Sequence, residues 1–207
     1  MSRFSRLKHR LRRDVRGVTV VEFALITPPM LLLLLGGLEI GYQSYVRSVL
    51  QGALNDAART ASVENPQIST PGNTVEEKVA GLISGTVKHV APKATVTVTQ
   101  QSFFEFSNIG NPEKLMTDHN GNGEFDAADG DCWEDTKENG VYDTDTGTSG
   151  RGGANDVVLY NASVSTPRLL PIHAFIPRMD KTIDFTVETA VRNQPYQALQ
   201  TAPVLCG

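Results

Sequence analysis

The sequence has little of what usually carries chemistry. Its 207 residues include only two cysteines and four histidines. Two cysteines are too few for a disulfide-dense scaffold or a four-thiolate zinc site. His9, His89, His119 and His173 stand in unrelated contexts. No serine or cysteine lies in a nucleophile motif, and there is no GxGxxG, phosphate loop or HExxH. No enzyme is expected. Outside residues 18–38 there is no long apolar run, so one membrane segment is expected. The length leaves room for one modest extracytoplasmic domain beside it.

What is present is unevenly distributed. Arg3, Arg6, Lys8, Arg10, Arg12, Arg13 and Arg16 against Asp14 give residues 1–17 a charge of +6, leaving −10 for the rest of a chain whose net charge is −4. A basic arm beside a membrane segment reads as a cytoplasmic anchor. A nucleic-acid-binding arm would need a basic folded domain beside it. Here the neighbour is apolar and then acidic, so no nucleic-acid partner is expected. Val18 to Ile40 would rise about 34 Å as a helix, enough to cross a bilayer. Pro28-Pro29 interrupts this segment and predicts a kink. Glu39 falls at the outer interface, where a charge is cheap. Glu22 lies inside the apolar segment, where an acid is costly unless paired and so is read as functional. A cleavable secretory signal fits the basic and apolar parts in outline. Against it, Glu39-Ile40-Gly41-Tyr42 follows in place of a small-x-small site, and the helical pattern continues.

Gly17-Val18-Thr19-Val20-Val21-Glu22-Phe23-Ala24-Leu25-Ile26-Thr27-Pro28 resembles the start of TadE-like proteins, pilin-like minor components of the tight-adherence pilus machinery. Val191-Arg192-Asn193-Gln194-Pro195 resembles the ending of such sequences, which often carry an acid where Gln194 stands. The resemblance implies a structural subunit in the bacterial inner membrane. Prepilin peptidase would cut after Gly17, making Val18 the new N-terminus, and Glu22, at the fifth mature position, would guide assembly. The partners implied are the membrane, the peptidase, other pilin-like subunits and the assembly machinery. The N-terminus would be cytoplasmic and the C-terminal domain periplasmic, with the subunit in the filament or at its base.

Beyond the membrane, Val46, Val49, Leu50, Ala53, Leu54, Ala57, Ala58 and Ala61 recur at three- and four-residue spacing and make one apolar stripe. Asn65-Pro66 would stop that helix. Thr74 with Glu76-Glu77 reads as the start of a second helix, running to about Val90 and packing Val75, Val79, Leu82, Ile83 and Val87. Strands are expected over 94–106, 156–166 and 181–193. In the last, Ile183, Phe185, Val187, Thr189 and Val191 share one face. Pro167 to Pro177 is a proline-punctuated apolar connection, in which His173 reads as a hydrogen-bonded core residue. The expected fold class is therefore α+β: a long N-terminal membrane-spanning helix continuing into a small domain with a second helix and an antiparallel sheet of about three strands. By resemblance it is pilin-like. The expected divisions are a leader (1–17), a transmembrane helix (18–41) and an extracytoplasmic domain (42–207), the last carrying an acidic glycine-rich insert (107–155).

The insert has almost no apolar content. Its spacing is more informative than its composition. Asp118, Asn120, Asn122, Asp126 and Asp129 stand at loop positions that ligate calcium in an EF-hand, with Gly123 at the sharp turn and Glu124 offering its backbone carbonyl. His119 falls at a non-ligating position. Asp129 stands where a glutamate is usual. A structural Ca2+ is expected there, against the alternative of an ion-free turn. Asp135, Asn139, Asp143 and Asp145 make a weaker second copy, with Lys137 where an oxygen should be. Gly147 to Asn155 reads as a flexible return. In an oxidising compartment Cys132 and Cys206 favour a disulfide, the alternative being two free structural cysteines. Such a bond would pin the insert to the C-terminal tail. The competing functional reading is an uncleaved single-span protein displaying a calcium-stabilised binding or adhesion domain. A secreted hydrolase that uses calcium only for stability ranks third.

Overall fold

The computed structural model describes residues 17–171, 176, 178–197 and 201–207. The basic leader ahead of Gly17 and His173 lie outside the described residues. Helix α1 runs Val18–Ala61 without interruption and carries both Pro28 and Pro29 inside it, so the apolar segment is not divided at the prolines. It is one helix long and apolar enough to cross a membrane, and none of its apolar stretch is buried among the described residues. Its second half is the opposite: Val46, Leu50, Leu54, Ala57, Ala58 and Ala61 are completely buried. The alanines on this face let other elements approach the helix axis closely. Helix α1 ends earlier than Asn65-Pro66. The Ser62 hydroxyl and amide both donate to the Arg59 carbonyl, at 2.8 and 3.4 Å, and close the last turn there.

Helix α2 (Val75–Val90) begins as its sequence predicts. The Thr74 hydroxyl accepts from the Glu77 amide at 3.2 Å, and the Glu77 carboxylate accepts from the Asn73 amide at 2.7 Å. Val79, Ile83 and Val87 are buried against α1, whereas Leu82, expected in the core, is exposed. In chain order there follow β1 (Thr95–Phe103), β2 (Leu115–Thr117), β3 (Cys132–Glu134), β4 (Thr148–Ser149), β5 (Val157–Pro167), β6 (Thr182–Arg192) and β7 (Val204–Cys206).

The main sheet is antiparallel, in the order β4-β1-β5-β6. Its three long strands are the expected ones. The fourth, β4, lies in what reads as a flexible return and pairs Gln101 with Ser149 and Ser102 with Thr148. Val158, Tyr160, Ala162, Val164 and Val187 turn one sheet face toward α1 and α2 and complete a single core. Tyr160 is so enclosed that burial pushes its phenol up to about 12. At one end of the domain the Tyr42 hydroxyl donates to the Val90 carbonyl at 3.2 Å. The Thr95–Ser165 and Pro167–Thr182 ladder pairs bring β1, β5 and β6 to their ends on the same side.

A second sheet, unexpected from the sequence, has the order β2-β3-β7. It joins the insert to the C-terminal tail, and Cys132 and Cys206 face each other across β3 and β7 as a disulfide. Closing a loop of this length contributes about 4 kcal/mol on the chain-entropy account. Glu39, expected at a cheap exposed interface, is instead buried, 1% exposed. Arg168 and Leu170, just after β5, lie against it.

Candidate functional site

Two regions carry the residues singled out by sequence. The first is the insert, where a scarcity of apolar side chains is met by side chains that bond backbone amides. Asp118 accepts from the Gly121 and Gly123 amides at 2.7 and 2.8 Å. Asn120 accepts from the Asn122 amide and Asn122 from the Glu124 amide, at 2.9 and 2.7 Å, while the Asn120 amide group donates to Asp129. Asp126 accepts from the Ala128 amide at 2.9 Å. Gly123 turns the chain at φ +80°, a region that only glycine enters without strain.

The second copy repeats this arrangement. Asp135 accepts from the Asn139 and Gly140 amides at 3.2 and 2.7 Å, and Asn139 accepts from the Val141 amide at 2.9 Å. Gly140 turns at φ +77°, and Glu138 adopts φ +53° where the first copy has Gly121 at +71°. Asp145 caps Gly147 at 2.9 Å. Phe125 and Tyr142, at equivalent positions, stack with ring centroids 4.5 Å apart, and Trp133 packs edge-on against both. This aromatic cluster is what the insert has for a core.

Two carboxylates absent from the expected set hold the loops closed. Asp131, completely buried, accepts from the His119 and Asp126 amides at 2.9 and 3.0 Å and so ties one end of the first loop to the other. Glu113, 1% exposed, does the same for the second, accepting from the Thr136 and Asp143 amides at 2.7 and 3.0 Å. The loops differ at one chemically important position. Where the first has Asn120, the second has Lys137, whose ammonium lies 3.4 Å from Asp143. Among the described residues, no three His, Cys, Asp or Glu side chains are grouped as metal ligands. The first loop's oxygen donors include two asparagines, and its carboxylates are turned onto amides.

The second region is the start of α1. Gly17 precedes the helix at φ −87°, and a Cβ added there would meet nothing within 4 Å. Val18 and Glu22 lie on the bare part of the helix, both exposed. Residues 17–59 match the family model for TadE-like proteins. This segment is TadE-like. No curated protein and no solved structure matches the chain. The TadE-like segment takes in Gly17, Val18 and Glu22 together with most of the buried stripe of α1. The insert and both sheets lie outside it. TadE-like proteins are not an enzyme family.

The hydrogen bonds at Asp131 have a pH consequence. The His119 amide first, then the Asp126 amide, hold its carboxyl below the usual aspartate value. A depressed carboxyl stabilises the fold fully above its unfolded value and loses that contribution as pH falls through the folded one. Trp133, 5% exposed within the insert, reports on this. Its emission should stay blue through the ordinary aspartate range and move red only below it. Asp131→Asn should make that acid limb shallower in a fluorescence titration.

Proposed function

We propose that the protein is a pilin-like subunit of a tight-adherence pilus system, cut after Gly17 by a prepilin peptidase and held in the inner membrane by α1. The observation that carries this reading is the TadE-like match over 17–59, which begins at Gly17 and takes in Val18 and Glu22.

Cleavage leaves Val18 with a free ammonium at the end of an apolar helix. Glu22 of a neighbouring subunit offers the opposite charge at lipid depth. Pairing the two removes isolated charges from hydrocarbon as subunits stack, and that saving drives register as well as association. The basic leader keeps the N-terminus cytoplasmic until it is removed, which places the sheets in the periplasm.

We also propose that calcium occupies the first insert loop alone. Its donors are all oxygens, as a hard cation requires: Asp118, Asn120, Asn122 and Asp126, with the Glu124 carbonyl. Asp129 is engaged by Asn120, and Asp131 stands as the buried carboxylate that braces the loop. In the second loop the Lys137 ammonium beside Asp143 already supplies a positive charge. Calcium and Lys137 would then be two answers to the same crowding of carboxylates.

Both readings are open to direct test. N-terminal sequencing of the membrane-extracted protein should begin at Val18, and Gly17→Leu should leave the full-length chain in the membrane. Glu22→Ala should insert stably yet fail to assemble. A mature protein that starts at Met1 would favour the uncleaved anchored domain instead. Calorimetry on the full chain should find one calcium site, with affinity of about 10⁻⁴–10⁻³ M given the missing terminal glutamate. Asp118→Ala should abolish it, and chelation should raise protease sensitivity between Thr117 and Asp145. Two sites, or none, would contradict the assignment.

A further inference from the structure

The first buried side chain along α1 comes just after Leu38, although Ile40 beyond it is still 66% exposed. Val18 to Leu38 rises about 30 Å as a helix, the thickness of bilayer hydrocarbon. The next residue, Glu39, is buried by the connection between β5 and β6. Its Oε2 accepts from the Leu170 amide at 3.1 Å, and its Oε1 lies 3.8 Å from the Arg168 guanidinium. Arg168 also fastens the base of the connection. Its Nε donates to the Asp180 carbonyl at 2.6 Å and its amide to the Lys181 carbonyl at 3.1 Å. The connection is therefore anchored to α1 at the level where the helix leaves the domain.

Beyond those bonds, Leu169 and Ile176 are 47% and 40% exposed. Leu169 lies between the two residues that meet Glu39, at the end of a helix segment whose own leucines are exposed, and Ile176 belongs to the same connection. The same end of the domain carries exposed Lys88, Lys93, Arg178 and Lys181 against exposed Asp180 and Asp184, a positive balance at the close of α2, ahead of β1 and along the connection. Apolar side chains rimmed by cations at the edge of a hydrocarbon span are what a lipid headgroup layer accommodates. A single helix leaves the domain free to tilt on the membrane. A second contact removes that freedom.

We infer that the β5–β6 connection is a second membrane contact, placing Leu169 and Ile176 in the lipid interface beside α1, with Glu39 setting their depth. This rests on α1 being a membrane anchor, and the test separates the two. The full chain carrying Trp133→Phe is reconstituted in phosphatidylcholine–phosphatidylglycerol vesicles, with or without brominated acyl chains. Single tryptophans are placed by Leu33→Trp, Leu169→Trp, Ile176→Trp or Thr186→Trp. Brominated lipid should quench the first three and leave Thr186→Trp unchanged, with bromine near the headgroups acting most strongly at positions 169 and 176. Adding Glu39→Leu to Leu169→Trp should reduce its quenching roughly twofold by releasing the connection from its depth. Quenching at Leu33→Trp alone would overturn the inference and leave the anchor standing. Loss of quenching at Leu33→Trp as well would remove both. Unchanged quenching with Glu39→Leu would overturn the part given to Glu39.

Discussion

Helix α1 passes through two surroundings on one hydrogen-bonded ladder, and the rest of the fold is placed by where the change occurs. Up to Leu38 none of its residues is buried among the described residues; from Val46 one face is almost entirely covered. Helix α2 and the main sheet both pack on α1, and they also meet directly where Gln100 of β1 donates to the Glu76 carbonyl. Val79, Ile83 and Val87 come from one side and Val158, Ala162 and Val187 from the other, meeting over the alanines of α1. A break between the two halves would leave an anchor and a domain that could move independently. Continuity makes the domain's orientation a property of the helix.

The insert is stabilised by a different means. It lies away from that core, and beyond one aromatic cluster its order comes from carboxylates and asparagines bonded to turn amides. Such bonds are worth little singly but are costly to break when buried. Asp131, Glu113 and Asp135 are the buried ones. The Cys132–Cys206 bond adds a covalent tie to the tail, so the segment with the least apolar surface has the most polar and covalent restraint.

Sequence periodicity disclosed the parts of the fold that rest on repetition. The stripe from Val46 to Ala61 and the alternation through Val187 span enough residues for a period to emerge. Three-residue strands such as β2, β3 and β7 have no period to read, and β4 is shorter still. Glu113 precedes the loop it braces by more than a turn's length of chain, and Asp131 lies just past the spacing that defines the loop. Both could have been suspected only as acids flanking two copies of one pattern. Glu39 was misread because exposure was inferred from its place beside the span, whereas the partner that buries it arrives from distant Leu170. Leu82 satisfied the helical period but sits at the margin of the buried face.

The central claim is that anchor and domain share one rigid helix. Hydrogen–deuterium exchange of the full chain in lipid nanodiscs tests this amide by amide. The account predicts slow exchange from the second turn of α1 to Ala61, unbroken through Gly36, Gly37, Glu39 and Gly41. A fast-exchanging stretch across Gly36 to Gly41, between two protected halves, would contradict it.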